Sequence, residues 1–260
     1  MAERSEYMIE LDDVVKDYGG FEAVHPLSLR VKRGEVFGFL GPNGAGKTTT
    51  IRMLSGIMRP TRGRIRVGGV DLLLDPVTVK RFTGYIPDRP YLYEKLTAWE
   101  FMSFIAGVYG LSRQEVEQRA PALLTRFGLA NWQHGLIEGF SHGMKQRLVL
   151  ASSLLHAPEL LIVDEPMVGL DPHAARLVKD MFREHAAKGG TVFLSTHSLE
   201  VAEEVCDRLA IIKAGQVLAQ GTMAELRTQA GQEATLESIF LSLTGDEDVQ
   251  VALRGLRGGT

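Results

Sequence analysis

The run Gly41-Pro42-Asn43-Gly44-Ala45-Gly46-Lys47-Thr48-Thr49 carries the plainest chemistry in the chain. It fits Gly-x-x-x-x-Gly-Lys-Ser/Thr, a loop that cradles nucleotide phosphates. Its glycines let the backbone bend until successive N–H groups face phosphate oxygens. A following helix adds the partial positive charge of its N-terminus. In such a loop Lys47 is expected to reach the β- and γ-phosphates, and the Thr48 hydroxyl to bind Mg²⁺. An ordinary glycine-rich turn would share the composition. It would not explain the apolar run Val36–Leu40 before the loop and the helical run Thr49–Ser55 behind it.

Two acids stand at the end of another apolar run, Leu160-Leu161-Ile162-Val163-Asp164-Glu165. Ligand groups of open α/β sheets gather at the C-terminal ends of strands. Asp164 suits Mg²⁺, which prefers carboxylate and water oxygens. Glu165, one residue further out, suits orienting or deprotonating an attacking water. Surface acids ending a strand are the bland alternative, which the upstream phosphate loop weakens. His197 follows the strand run Thr191–Ser195 at the same edge, where it can hydrogen-bond a γ-phosphate and the catalytic acid. A capping or surface histidine is the ordinary reading of that position. Ser141-His142-Gly143 opens a further helix with Ser141 as N-cap, and so makes a second anion-ready helix terminus. A chain with one nucleotide loop has no second phosphate to place there. Either that terminus is structural, or it meets a phosphate held by another copy.

Elements must position these groups. Met8 to Val31 reads as β-rich, with turns at Gly19-Gly20 and at His25-Pro26, and Arg64–Val67 with Gly68-Gly69 reads as a strand into a hairpin turn. From Thr97 the pattern becomes helical. Thr97 with Glu100 and Ser112 with Glu115 are capping boxes. This block interrupts an alternating strand–helix order and reads as a helical subdomain inserted in an α/β core. Asp171-Pro172 starts a helix with Asp as cap and Pro at its first position. Leu209–Ala219 reads as a hairpin, and the tail from Gly245 as polar and mobile at its end.

Composition sets outer limits. The chain has 260 residues, 45% of them hydrophobic, which suits one large domain or a core with a subdomain. A net charge of −3 gives no electrostatic case for nucleic acid. Single Cys206 excludes an internal disulfide and is expected to be a packing residue in an apolar helical stretch. Met1–Glu6 lacks the apolar core of a signal peptide, and no apolar run approaches a membrane span.

Taken together, the phosphate loop, the Ser-x-Gly-x-x-Gln-Arg run at Ser141–Arg147, the apolar strand ending Asp164-Glu165-Pro166, Gly169-Leu170-Asp171 and His197 resemble the ATP-binding-cassette (ABC) family, in that order. The resemblance covers roughly the first 225 residues. It implies an α/β fold: a P-loop NTPase core, with a RecA-like mixed sheet and an N-terminal antiparallel β region, carrying an inserted helical subdomain at about 90–155. The cassette would span 1–230 and a tail 231–260. The resemblance further implies ATP and Mg²⁺ as ligands and a second cassette, a homodimer being expected, packed head to tail. Ser141 and Gly143 of one copy would then meet the γ-phosphate held by Lys47 of the other, with Asp171 at the seam. Tyr18 matches the aromatic that stacks on adenine. Asp88, in Tyr85-Ile86-Pro87-Asp88, stands where the family carries Gln or Glu, and keeps an oxygen for the metal.

Separately encoded transmembrane permease subunits are implied as partners, with the chain peripheral on the cytoplasmic face of the membrane. Tyr91, Leu92, Tyr93, Trp99, Phe101 and Phe104 are candidates to line their docking groove, Tyr91 and Tyr93 first among them. The stretch Ala234–Thr244 resembles the tail of drug-, antibiotic- and polysaccharide-type exporters, although an amphipathic helix packing back on the core would look the same. A soluble ABC ATPase in a non-transport process is the alternative, and a small-molecule kinase on the same phosphate loop is a more distant one.

Overall fold

The computed structural model describes residues 5–230 and 234–245. Two sheets share the core. The first is antiparallel, in the order β2-β1-β4-β5, from β1 (Tyr7–Asp17), β2 (Glu22–Lys32), β4 (Arg62–Val67) and β5 (Val70–Asp71). The second contains β3 (Val36–Leu40), β6 (Thr83–Ile86), β7 (Leu160–Asp164), β8 (Thr191–Thr196), β9 (Arg208–Lys213) and β10 (Gln216–Gly221), in the order β10-β9-β3-β8-β7-β6. Its strands pair in parallel except for the β9–β10 hairpin. Every residue of β3, β7 and β8 is buried, as expected of strands covered on both faces.

The two-residue period of the strands sorts their side chains onto two faces. Leu160, Ile162 and Phe193 join the apolar cluster that contains α1 (Lys47–Leu54) and the antiparallel sheet. Leu161, Val163, Val192 and Leu194 join the opposite cluster, under α6 (Pro172–Ala187) and the helical block. The same alternation carries Asp164 and Ser195 onto the α1 face. The chain between β6 and β7 forms that block, with α3 (Ala98–Tyr109), α4 (Arg113–Arg126) and α5 (His142–Leu154). Both expected capping boxes are made, each donating to and accepting from its N3 residue.

Two local expectations change. His25-Pro26 is no turn and lies inside β2. The pairing steps from Val14↔Leu27 to Lys16↔Val24, so β2 carries an extra residue there. A bulge tolerates proline because no ladder donor is needed at the unpaired position. Cys206 caps the C-terminus of α7 (Leu199–Val205), and does not lie inside the helix. It still packs: a Cβ on Gly38 would stand 2.7 Å from its Sγ, and burial pushes its thiol up to about 12. Finally, the described part of the tail is joined to the core. In α9 (Leu236–Thr244), Leu236 and Ile239 are buried with Leu40, Ala202, Leu209 and Leu226, the last from α8 (Met223–Ala230). The expected mobile end beyond Gly245 lies outside the described residues.

A half-buried histidine, His156, ties the helical block to the sheet. His156 stacks on Tyr109 at the end of α3, with ring centroids 3.7 Å apart, and its Nε2 lies 3.2 Å from the Thr83 carbonyl oxygen. Burial lowers its pKa from 6.5 to about 4, with Arg119 adding to the effect. The unfolded chain therefore binds this proton first as pH falls from 6.5 toward 4, and stability declines across that window. His156→Phe keeps the stack and removes the proton. Its urea-unfolding free energy should depend less steeply on pH in that window than the parent's, and equal slopes would exclude the imidazole as the responsible group. Leu236→Ala should cost about 2–5 kcal/mol, the usual penalty for a core leucine. An unchanged urea midpoint would refute the docking of α9.

Candidate active site

The phosphate loop leaves β3 at its C-terminal edge and enters α1. Close backbone contacts require its glycines. A Cβ on Gly41 would stand 2.3 Å from the Ile212 carbonyl oxygen, and one on Gly46 would stand 2.7 Å from that of Ala23. Gly46 also adopts φ +101°, a left-handed conformation. It is the N-cap of α1 and has no side chain to cap with, so the N–H groups of the first turn keep their capacity for an anion.

Lys47 is only 6% exposed. Its Nζ donates to the carbonyl oxygens of Gly41 at 2.7 Å and Pro42 at 3.1 Å, and lies 3.5 Å from Glu165 Oε1. Gly41 and Pro42 thus hold the lysine, while the rest of the loop walls a cleft of about 470 Å³. Tyr18, Phe21, Ala23, Asn43, Gly44, Ala45, Gly46, Thr48, Thr49, Asp88 and Glu165 complete its lining with Lys47.

Asp88 and Glu165 line this cleft, and Asp164 lies buried beside them. Asp164 is fully buried. Its Oδ1 accepts from the Ser195 hydroxyl, and its Oδ2 is buried with no hydrogen-bond partner among the described residues. Burial raises its pKa most, the hydrogen bonds of Ser195 and Thr48 oppose this, and the charges of Asp88 and Glu165 raise it further. Glu165 sits in a left-handed conformation, φ +47°, which is uncommon for a residue with a Cβ and recurs at functional sites. Its Oε2 lies 2.9 Å from His197 Nδ1. Three carboxylates thus converge with one lysine, an imbalance that a divalent cation corrects. The buried Oδ2 without a partner and the oxygen-only donor set of Asp164, Asp88 and Thr48 fit Mg²⁺.

Tyr18, in the same lining, is half exposed, with its hydroxyl 3.0 Å from Met58 Sδ and Lys16 Nζ 5.2 Å from its ring centroid. Phe21 also lines the cleft and is 69% exposed. Sequence reasoning passed over it. The available signal was its place beside Tyr18 in the Gly19-Gly20 turn, but only the turn geometry brings both rings to the cleft.

Ser141 and Gly143 are absent from this lining. Ser141 caps α5, its Oγ accepting from the Met144 N–H at 3.3 Å, and it is exposed. The loop Gly169–Asp171 packs against this terminus: the His142 ring occupies the space beside Gly169, 2.4 Å from where a Cβ would be. Asp171 caps α6 by accepting from Ala174, which holds its carboxyl below the usual range. One chain therefore presents a phosphate cradle and, separately, an exposed helix terminus of anion-binding type.

Comparison with known proteins identifies the family. The family model described as ABC transporter matches residues 24–168. A second model, described as an AAA domain of a putative AbiEii toxin in a type IV toxin–antitoxin system, matches residues 136–203. The linearmycin resistance ATP-binding protein LnrL of Bacillus subtilis is 38% identical, over 96% of this chain and 79% of that protein. The daunorubicin resistance ATP-binding protein DrrA3 of Streptomyces coeruleorubidus is 39% identical, over 97% of this chain and 79% of that protein. A solved ATP binding subunit of an ABC transporter superposes with a TM-score of 0.87 at 39% identity, covering 91% of this chain and 99% of that one. The ATP-binding cassette MJ0796, solved as a post-hydrolysis dimer with ADP and Pi, gives a TM-score of 0.76 at 25% identity, covering 83% and 99%. With a phosphate cradle, paired strand-end acids and a capped signature helix on this fold, the chain belongs to the ABC transporter family, as an ATP-binding and ATP-hydrolysing subunit.

Proposed function

We propose that two copies of this chain close head to tail on two ATP molecules and thereby drive a separately encoded membrane permease in the direction of export. One observation carries this reading. The anion-ready terminus at Ser141–Gly143 lies outside the lining of the chain's own cleft, together with the Gly169–Asp171 loop. A second copy, turned around, would use that exposed face to complete the site. The direction rests on the resistance proteins that the chain resembles over nearly its whole length. Among the described residues no helix is long and apolar enough to cross a membrane, so a partner must supply the path.

In this reading the Gly44–Thr49 backbone binds the phosphates, and Lys47 exchanges the Gly41 and Pro42 carbonyls for β- and γ-phosphate oxygens. Tyr18 stacks on the adenine. When bound, Mg²⁺ offsets the charge of the same phosphate oxygens, held by Thr48, Asp164 and Asp88. Glu165 orients the attacking water and takes up its proton. His197, hydrogen-bonded to Glu165, keeps that carboxylate aimed and donates toward the γ-phosphate.

The residues expected to line a permease groove separate by exposure. Phe101 is buried and belongs to the core of the helical block. Tyr91 and Tyr93 are exposed, as is Phe104, which meets Tyr93 edge-on at 5.2 Å. A more apolar concavity of about 410 Å³ lies between core and block, lined in part by Ile57, Val77, Tyr85, Val108 and Tyr109. We assign the permease contact to this concavity, with Tyr91 and Tyr93 beside it.

Glu165→Gln should bind ATP, stall hydrolysis and accumulate an ATP-dependent dimer in size-exclusion chromatography. Undiminished turnover with no such dimer would overturn the reading. Asp88→Gln should retain or raise ATPase turnover, since the amide keeps an oxygen while removing a charge that opposes ionisation of Asp164. A large loss would show that the charge itself is required.

A further inference from the structure

Behind the nucleotide cleft lies a buried residue that the phosphate-loop and strand-end motifs do not account for. Ser195 lies in β8 directly beside Asp164 of β7, in register with it across the parallel ladder. It is fully buried, so no water competes for its hydroxyl. That hydroxyl donates to Asp164 Oδ1. Its backbone carbonyl accepts from the Glu165 N–H at 3.2 Å, at the point where the chain turns into its left-handed conformation. One serine therefore contacts both strand-end acids, the first through its side chain and the second through its backbone.

We propose that Ser195 is a positioning residue for the divalent cation of the ATP site. Its hydroxyl occupies one oxygen of Asp164 and leaves Oδ2 as the oxygen available to the cation. A carboxylate free to rotate about its side-chain torsions would present either oxygen, and would lose ordering entropy on each binding event. The register pins it instead. Side chains directly opposite on neighbouring strands share a face, so the serine reaches Asp164 without any loop movement. Packing of this strand pair explains why a residue here is buried. It does not explain why the residue is polar, since its neighbours on the same face, Phe193 and Ile162, are apolar.

The inference rests on the ATP-site reading above, and the test separates the two. Ser195→Thr and Ser195→Val have nearly the same shape and both suit a strand, but only the threonine retains the hydroxyl. For each, the affinity for the non-hydrolysable analogue AMPPNP is measured twice by calorimetry, in EDTA and in saturating Mn²⁺. The ratio isolates what the cation adds at the site. Ser195→Thr should keep the parental ratio. Ser195→Val should lower it about tenfold, the usual effect of losing an outer-shell partner of a metal ligand, with its EDTA affinity unchanged. Equal ratios in the two variants, or a fall in EDTA affinity that accounts for the whole change, would overturn the positioning role. Failure of the parent protein to bind AMPPNP under either condition would overturn the site reading itself, and the role of Ser195 with it.

Discussion

A single buried ammonium group organises the cleft. Lys47 is almost wholly removed from water, and a charge in that position survives only if oxygens surround it. Here the Gly41 and Pro42 carbonyls and Glu165 do so. This arrangement leaves the lysine satisfied yet exchangeable, because phosphate oxygens can replace carbonyls one for one. The cost of stripping the lysine of water is already met by the fold. In the proposed reading, ATP would meet a cation that needs no further desolvation, which would make each phosphate contact worth more than at a surface.

The acids depend on the same lysine and on strand register. Asp164, Glu165 and Asp88 stand close together: burial raises the pKa of Asp164 most, and the charges of Asp88 and Glu165 raise it further. They remain together because β6, β7 and β8 pair in parallel, and the fully buried β7 and β8 do not allow a one-residue slip without turning every side chain over. The site's electrostatic strain is therefore carried by sheet packing far from the chemistry. Glu165 adds a local share through its left-handed backbone. A site that is over-supplied with negative charge in the free chain gains most when the divalent cation and the phosphates arrive as a pair.

Much of this was legible in the residues. The Gly41–Thr49 loop, the strand run ending at Asp164, and the capping boxes at Thr97 and Ser112 are local features, and local chemistry determines them. The missed elements share a cause. His25-Pro26 looked like a turn because proline usually marks one, but tertiary pairing absorbed it as a bulge in β2. Phe21 had no periodicity to distinguish it. Phe101 reads the same as Phe104 on paper, yet one is core and the other is exposed. Ser195 is an unremarkable strand serine until its register partner is known to be Asp164.

The sequence by itself determined which groups are present and what each can do: a phosphate cradle, a cation's oxygens, a base and a second helix terminus. These follow from residue type and from spacings of a few residues, which covalent geometry converts directly into local shape. Only the tertiary structure decided which of them meet. Residues more than a hundred positions apart, Lys47 and Glu165 or Thr48 and Asp164, come together because parallel strands must be joined by long crossovers, which bring the loop that follows each parallel strand to one edge of the sheet. The same geometry keeps Ser141 and Gly143 off their own chain's cleft, since α5 packs on the opposite apolar cluster from α1.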